Sequence, residues 1–284
     1  MHSSRKSFFA LAGAGAFAAA LPRAASAADT IRVGMIPDAG ATQVSIDEKA
    51  PLREFLARHM QRLVDLIIPT NYNATVEALG NGSLDFAYLG GLTYLQAHAR
   101  YGVIPLVQRV SDRAFHSLFI TQTDSPLKAL ADLKGKTFAF GDVNSTSGHL
   151  MPYAALQAAG IDADADLKFR YTGSHPATLK AVEAGTVAAG AMDESVYASM
   201  MASGQADKNK IRVFYRTPPF LDYVWVARKD LAPSEQFAFA TSFLALTEAK
   251  NKPILDILRG TKFVRANDGE YNELRRIATK LKML

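Results

Sequence analysis

Leu84-Asp85-Phe86-Ala87-Tyr88-Leu89-Gly90-Gly91-Leu92-Thr93-Tyr94 is the stretch on which the fold turns. Residues 84–89 are a short, almost continuous apolar run, too brief for a helix and long enough for a strand buried on both faces. Gly90-Gly91 breaks the run and opens a helix through residue 99. The same unit repeats around it. Residues 30–36 read as a strand ending at Pro37, and residues 47–61 as a helix with Leu52, Phe55, Leu56 and Met60 on one face. Residues 63–68 are a second strand. Asn71 caps a short helix through residue 79, which stops at Asn81-Gly82. Residues 103–107 are a fourth strand. This alternation predicts an α/β fold with a parallel sheet flanked by helices.

The pattern then restarts. Strands are predicted at 117–121, 136–140, 169–171, 187–192, 211–215 and 222–227. Helices are predicted at 126–133, 145–159, 175–183 and 195–202, with a helical remainder at 234–250, 253–258 and 269–281. No flexible linker divides the two blocks, so two lobes in close contact are expected, each with a mostly parallel sheet. The last helices have no strands of their own to cover and are best placed back on the first block. That gives one lobe from 28–112 and 224–284, a second from 113–223, and crossovers near 110–117 and 217–224. A cleft lies between the lobes, and ligands of open α/β sheets sit at the carboxyl ends of strands.

Arg5 and Lys6, an apolar run at 8–21 and Ala25-Ser26-Ala27 have the layout of a secretory signal peptide cleaved near Ala27. Ser4-Arg5-Lys6-Ser7-Phe8-Phe9 is close to a twin-arginine box with Lys in the second position. An exported chain in the periplasm is therefore expected. Removing the leader takes away Arg5, Lys6 and Arg23 and no acid, so the formal charge falls from +5 to +2. The remaining charges are scattered, which argues against a nucleic-acid partner. The 284 residues contain no cysteine, so disulfides, thiolate metal sites and thiol nucleophiles are excluded. No cofactor or metal is expected, and the chain is expected to act as a monomer.

Candidate ligand-binding residues lie at strand ends and helix starts. Asp142-Val143-Asn144-Ser145-Thr146-Ser147-Gly148 follows a strand and begins a helix. Three hydroxyls and free amides at the positive end of a helix suit a tetrahedral oxyanion; the plainer alternative is a simple helix cap. His175, after Gly173-Ser174, occupies an equivalent position, as donor or as capping residue. Tyr72 and Tyr94 each start a helix and can donate into the cleft or serve as core aromatics. Asp193 lies at the end of an apolar strand, and Asp222-Tyr223 begins the strand after Pro218-Pro219. A carboxylate beside an anion is reasonable if the ligand carries a proton, because it then accepts a hydrogen bond and repels a fully ionised competitor such as sulfate. The plainer reading of both acids is a surface acid or loop cap.

Taken in order, Asn-Tyr-Asn-Ala-Thr (71–75), Phe-Ala-Tyr-Leu-Gly-Gly-Leu-Thr-Tyr (86–94), Ser-Thr-Ser-Gly (145–148), Gly-Ser-His-x-Ala-Thr-Leu-Lys-Ala-Val (173–182), Ala-Gly-Ala-Met-Asp-Glu (189–194) and Pro-Pro-Phe-Leu-Asp-Tyr-Val-Trp (218–225) resemble the phosphate/phosphite/phosphonate substrate-binding proteins of ABC transporters. The resemblance implies a type II periplasmic binding fold whose two lobes close on the ligand. It implies that Ser145, Thr146 and Ser147 hold the phosphorus oxygens and that His175, Tyr94 and Tyr72 add donors. Asp222 and Tyr223 would face the P–OH or P–H side, and Asp193 would stand near an ammonium-bearing substituent. The implied partners are a small phosphorus oxyanion and an inner-membrane ABC permease.

Other readings stay open at this point. Ser145 or Ser147, His149 or His175, and Asp142 or Asp193 can be sketched as a hydrolase triad, although no G-x-S-x-G elbow is present. A binding protein for a sulfonate, another oxyanion or an amine would share the fold. So would a receptor that signals instead of transporting.

Overall fold

The computed structural model describes residues 30–40 and 46–284; the expected leader and its cleavage point lie outside them. Among the described residues eleven strands form two sheets. The first four are β1 (Thr30–Met35), β2 (Leu63–Ile67), β3 (Phe86–Leu89) and β4 (Ile104–Arg109). Next come β5 (Ser117–Gln122), β6 (Thr137–Phe140), β7 (Lys168–Tyr171), β8 (Ala189–Asp193) and β9 (Ile211–Arg216). β10 (Val224–Ala227) and β11 (Phe263–Arg265) complete the set. One sheet runs β11-β4-β10-β3-β1-β2, the other β7-β6-β8-β5-β9.

The sheets are mixed within the expected α/β plan: β1–β4 run one way in the first sheet and β6–β9 one way in the second, while β10, β11 and β5 are reversed. β1 pairs parallel with β2 and β3, and β6 with β7 and β8. β10 is antiparallel to β3 and β4, β11 to β4, and β5 to β8 and β9. The crossovers explain this. Phe115 and Phe220 exchange two backbone hydrogen bonds at 2.9 Å, so the two connecting segments lie side by side. β5 and β10 start just beyond that seam and run away from it, against strands whose carboxyl ends point toward it.

The C-terminal helices pack on the first sheet. Phe239, in helix Pro233–Leu244, stacks on Phe86 at 4.0 Å, and Trp225 packs between Tyr88 and Phe243. β11 is an addition to this remainder, which the sequence pattern makes wholly helical. The single helix expected at 234–250 breaks into Pro233–Leu244 and Glu248–Ile257, where the Asn251 side chain accepts the Thr247 amide and Asn251 leaves the helical region ahead of Pro253. The helix expected at 126–133 is only the 3₁₀ turn Leu130–Leu133, because the Asp132 carboxylate takes the Lys128 and Ala129 amides. Among the described residues no helix is long and apolar enough to cross a membrane.

Candidate functional site

After β6 the chain turns at Asp142, and Ser145 caps the segment beyond it, its hydroxyl accepting the Gly148 amide at 2.9 Å. The cap is the plainer alternative that the sequence left open for this residue, and the next turn is not the predicted α-helix. Residues Thr146–Leu150 form a wider π turn, with the Leu150 amide reaching back to the Ser145 carbonyl at 3.0 Å, before helix Met151–Ala158. The cause is Pro152, which has no N–H to give to the Gly148 carbonyl; the Gly141 amide takes that carbonyl instead, at 2.9 Å. A Cβ on Gly148 would stand 2.9 Å from the Ser145 hydroxyl and 3.0 Å from the His175 ring, so the turn can close only over glycine. His149 braces it from behind, donating from Nδ1 to the Val143 carbonyl and accepting the Tyr171 hydroxyl at Nε2.

Three buried side chains surround this turn, each beside a different residue of it. His175 begins helix His175–Glu183, with Ser174 as its cap, and is 0% exposed. Its Nδ1 accepts the Asp193 amide at 3.3 Å, so a neutral ring carries its proton on Nε2. Burial holds the imidazole in that neutral form by pushing its pKa down, against the nearby Asp193 and Asp38 charges. Tyr72, 1% exposed, begins helix Tyr72–Gly80 behind the Asn71 cap and lies beside the Ser145 hydroxyl. Asp222, 1% exposed, accepts the Gly91 amide at Oδ1 at 3.0 Å. It adjoins Thr146: a Cβ on Gly90 would be 3.1 Å from Thr146 Oγ1 and 3.4 Å from Asp222 Oδ1. Burial pushes the Asp222 carboxyl up to about 8; Asp193 and Asp112 push the same way, and the Gly91 amide and Thr146 hydroxyl oppose them.

Tyr72 Oη, His175 Nε2 and Asp222 Oδ2 have no hydrogen-bond partner among the described residues. Buried polar atoms are nearly always paired, so three of them around one turn mark a place built for a polar guest. The lobes meet over it. Leu92 donates its amide to Thr146 Oγ1 at 2.9 Å, His175 donates its amide to the Asp38 carbonyl at 3.3 Å, and Gln96 bonds Asn144 at 3.1 Å.

Ser145, Thr146, Ser147, His175, Tyr72 and Asp222 are thus brought together. Tyr94 is not, and its expected role is corrected: its hydroxyl donates to Asp268 at 2.6 Å and its ring packs on Tyr271. Asp193 is committed as well. Its Oδ1 caps helix Glu194–Ala202 through the Val196 amide and accepts the Ser195 hydroxyl, while Oδ2 accepts the Tyr223 hydroxyl at 2.6 Å. Tyr223 therefore has its donor engaged, with its ring stacked on Tyr88 at 4.9 Å and the Arg109 guanidinium over it. No serine–histidine–carboxylate hydrogen-bond relay forms among the described residues: the accepting nitrogen of His175, Nδ1, takes the Asp193 backbone amide, and His149 is bonded to Val143 and Tyr171. Sequence reasoning passed over Asp38 and Arg259, which are ion-paired at the seam; the only cue was an acid directly after a strand and its proline. A cavity of about 920 Å³ beyond the 217–221 crossover, walled by Leu130, Met151, Ala155, Phe220 and Ile277, shares no residue with the cluster.

Residues 33–271 match the family described as "ABC transporter, phosphonate, periplasmic substrate-binding protein". The chain is 31% identical over 267 residues to a probable ABC transporter phosphite-binding protein, PhnD1 of Prochlorococcus marinus, covering 88% of this chain and 89% of that one. It is 26% identical over 222 residues to the phosphate-import protein PhnD of Mycolicibacterium smegmatis, covering 72% and 68%. The solved structure of Prochlorococcus PhnD1 in complex with methylphosphonate superposes with a TM-score of 0.84 at 30% identity, over 90% of this chain and 99% of that one. A phosphonate-transporter binding protein from Pseudomonas aeruginosa shares the fold, with a TM-score of 0.80 at 20% identity over 89% and 86%. With the motifs in order, the two-lobed fold and a match across nearly all the described chain, this protein belongs to the periplasmic phosphonate substrate-binding proteins of ABC transporters.

Proposed function

We propose that this chain captures phosphite or a short alkylphosphonate between its lobes and delivers it to an inner-membrane permease. The observation that carries this reading is the set of three partnerless buried groups, Tyr72 Oη, His175 Nε2 and Asp222 Oδ2, around the head of the Ser145–Gly148 turn. The phenol and the imidazole N–H donate to two oxygens. Amides at the head of the turn and the Ser147 hydroxyl add charge-assisted donors. Asp222 shares a proton with a third oxygen.

That proton modifies the expectation that Asp222 rejects sulfate by charge alone. With a pKa of about 8 the carboxyl is protonated at neutral pH and is itself a donor. Discrimination then comes from basicity: a phosphorus oxyanion is basic enough to share the proton, and sulfate is not.

In the cycle we infer, ligand enters the open cleft, the lobes rotate about the paired Phe115 and Phe220 segments, and bonds from both lobes favour the closed form. The chain's part is binding, and no bond of the ligand is made or broken. Titration calorimetry with phosphite, methylphosphonate, 2-aminoethylphosphonate, phosphate and sulfate at neutral pH tests this. Phosphite or methylphosphonate should bind most tightly and sulfate weakly; equal or tighter sulfate binding would overturn the reading.

A further inference from the structure

Arg259 carries a charge that acts on both His175 and Asp193, and its position is unusual. It follows helix Glu248–Ile257 with a left-handed backbone (φ 51°), although Gly260 stands next to it. Gly260 is required elsewhere: a Cβ there would come within 2.7 Å of the Arg109 side chain, which bonds the Leu258 and Arg259 carbonyls. The left-handed residue therefore falls on an arginine, at an energetic cost. Its side chain is ion-paired to Asp38 on its own lobe. From there its Nε donates at 3.1 Å to Ser195 Oγ on the other lobe. Ser195 in turn donates its hydroxyl hydrogen bond to Asp193 Oδ1 at 2.7 Å, and the other oxygen of Asp193 accepts the hydroxyl of Tyr223, which adjoins Asp222. A cavity of about 300 Å³ that Arg259 helps to line takes Ala39, Lys49 and Asp256 from its own lobe and Pro176, Val196 and Ser199 from the other, which places the guanidinium on the seam.

Resting on the reading of the cleft as a ligand clamp, we propose that Arg259 is a latch that sets affinity by holding the lobes closed, without touching the ligand. Asp38 carries the guanidinium on one lobe. The Ser195–Asp193 pair on the other lobe meets it only when the cleft is shut. Asp193 is ionised at this seam: against the cost of burial, the Arg259 charge and the hydrogen bonds from Tyr223 and Ser195 hold its carboxyl below the ordinary value. The bond and the attraction both favour the closed form, so part of the closure free energy is independent of which anion is bound.

The test uses the full chain. Because it contains no cysteine, Leu63→Cys and Val213→Cys, at exposed positions one on each lobe, accept a pair of spin labels for distance measurement. Arg259→Gln should lengthen the ligand-free inter-lobe distances. It should also weaken phosphite, methylphosphonate and phosphate by one common factor, roughly tenfold for a charged hydrogen bond. Ser195→Ala should act in the same direction, and the double variant should lose less than the two separate factors combined. Arg259→Lys should recover part of the loss. Unchanged distances and affinities, or a loss that differs between ligands, would overturn the proposal; if Arg259→Gln does not fold, Ser195→Ala carries the same test. A wild-type chain that binds none of the three anions would instead refute the ligand reading, and the ligand-free distances alone would then judge the latch.

Discussion

His175 Nδ1 accepts the Asp193 backbone amide, and this single bond decides what the ring can offer. It fixes the imidazole proton on Nε2, a buried atom with no described partner. His175→Ala should lower affinity for the preferred phosphorus anion by about 1.5–3 kcal/mol, the range for a hydrogen bond to a charged group. Calorimetry checks this, and an unchanged affinity would remove His175 from the site.

Asp222 should make binding pH-dependent. Its carboxyl is neutral below about pH 8 and ionised above, so affinity should fall as pH rises past 8, by up to about tenfold per unit for one proton. Asp222→Asn keeps a donor without the titration and should flatten that limb. A wild-type profile that stays level to pH 9.5 contradicts the role.

The same shift affects folding. The folded-state pKa of Asp222 is raised from 3.8, so folding favours the protonated form. The stability it contributes is fully present below about pH 4 and is lost as pH rises through 8. Urea midpoints of the ligand-free wild type should therefore fall relative to Asp222→Asn across that window and run parallel above it. Midpoints parallel throughout would mean the carboxyl is not shifted.

Much of this site is legible in the sequence, and the remainder shows where pattern reading stops. Asn71, Ser145 and Ser174 are visible as caps because a cap is a local event: a short polar side chain satisfies amides two or three residues on. Helix His175–Glu183 matches its prediction because a strand, a cap and a proline at the second helical position all agree. Tyr94 misleads because its place in a helix says nothing about which face meets the cleft. Its partner Asp268 is 174 residues away. Asp193 misleads because an acid at a strand end reads alike whether it caps the next helix or faces a guest. The Thr146–Leu92 bond and the Arg259 latch depend on how the lobes meet, which no local window contains.

Tyr94→Phe separates these cases. It removes the bond to Asp268 and should cost about 1 kcal/mol of stability, leaving ligand affinity unchanged. A tenfold loss of affinity would return Tyr94 to the site.

Asp193→Ala should do the reverse of what a substituent-reading acid would do. It removes a helix cap, about 0.5–2 kcal/mol, and releases Tyr223. It should therefore weaken methylphosphonate and 2-aminoethylphosphonate alike. A selective loss of the amino compound would show that Asp193 reads an ammonium after all.

The functional reading stands on a tetrahedral phosphorus oxyanion seated at the head of the Ser145–Gly148 turn. A crystal structure of the chain with methylphosphonate probes that placement without an intermediate step. Phosphonate oxygens are expected within hydrogen-bond distance of Tyr72 Oη, His175 Nε2 and Asp222 Oδ2, with the lobes closed and Arg259 on Ser195. Phosphonate density elsewhere, with those three atoms turned toward other protein groups, would contradict it.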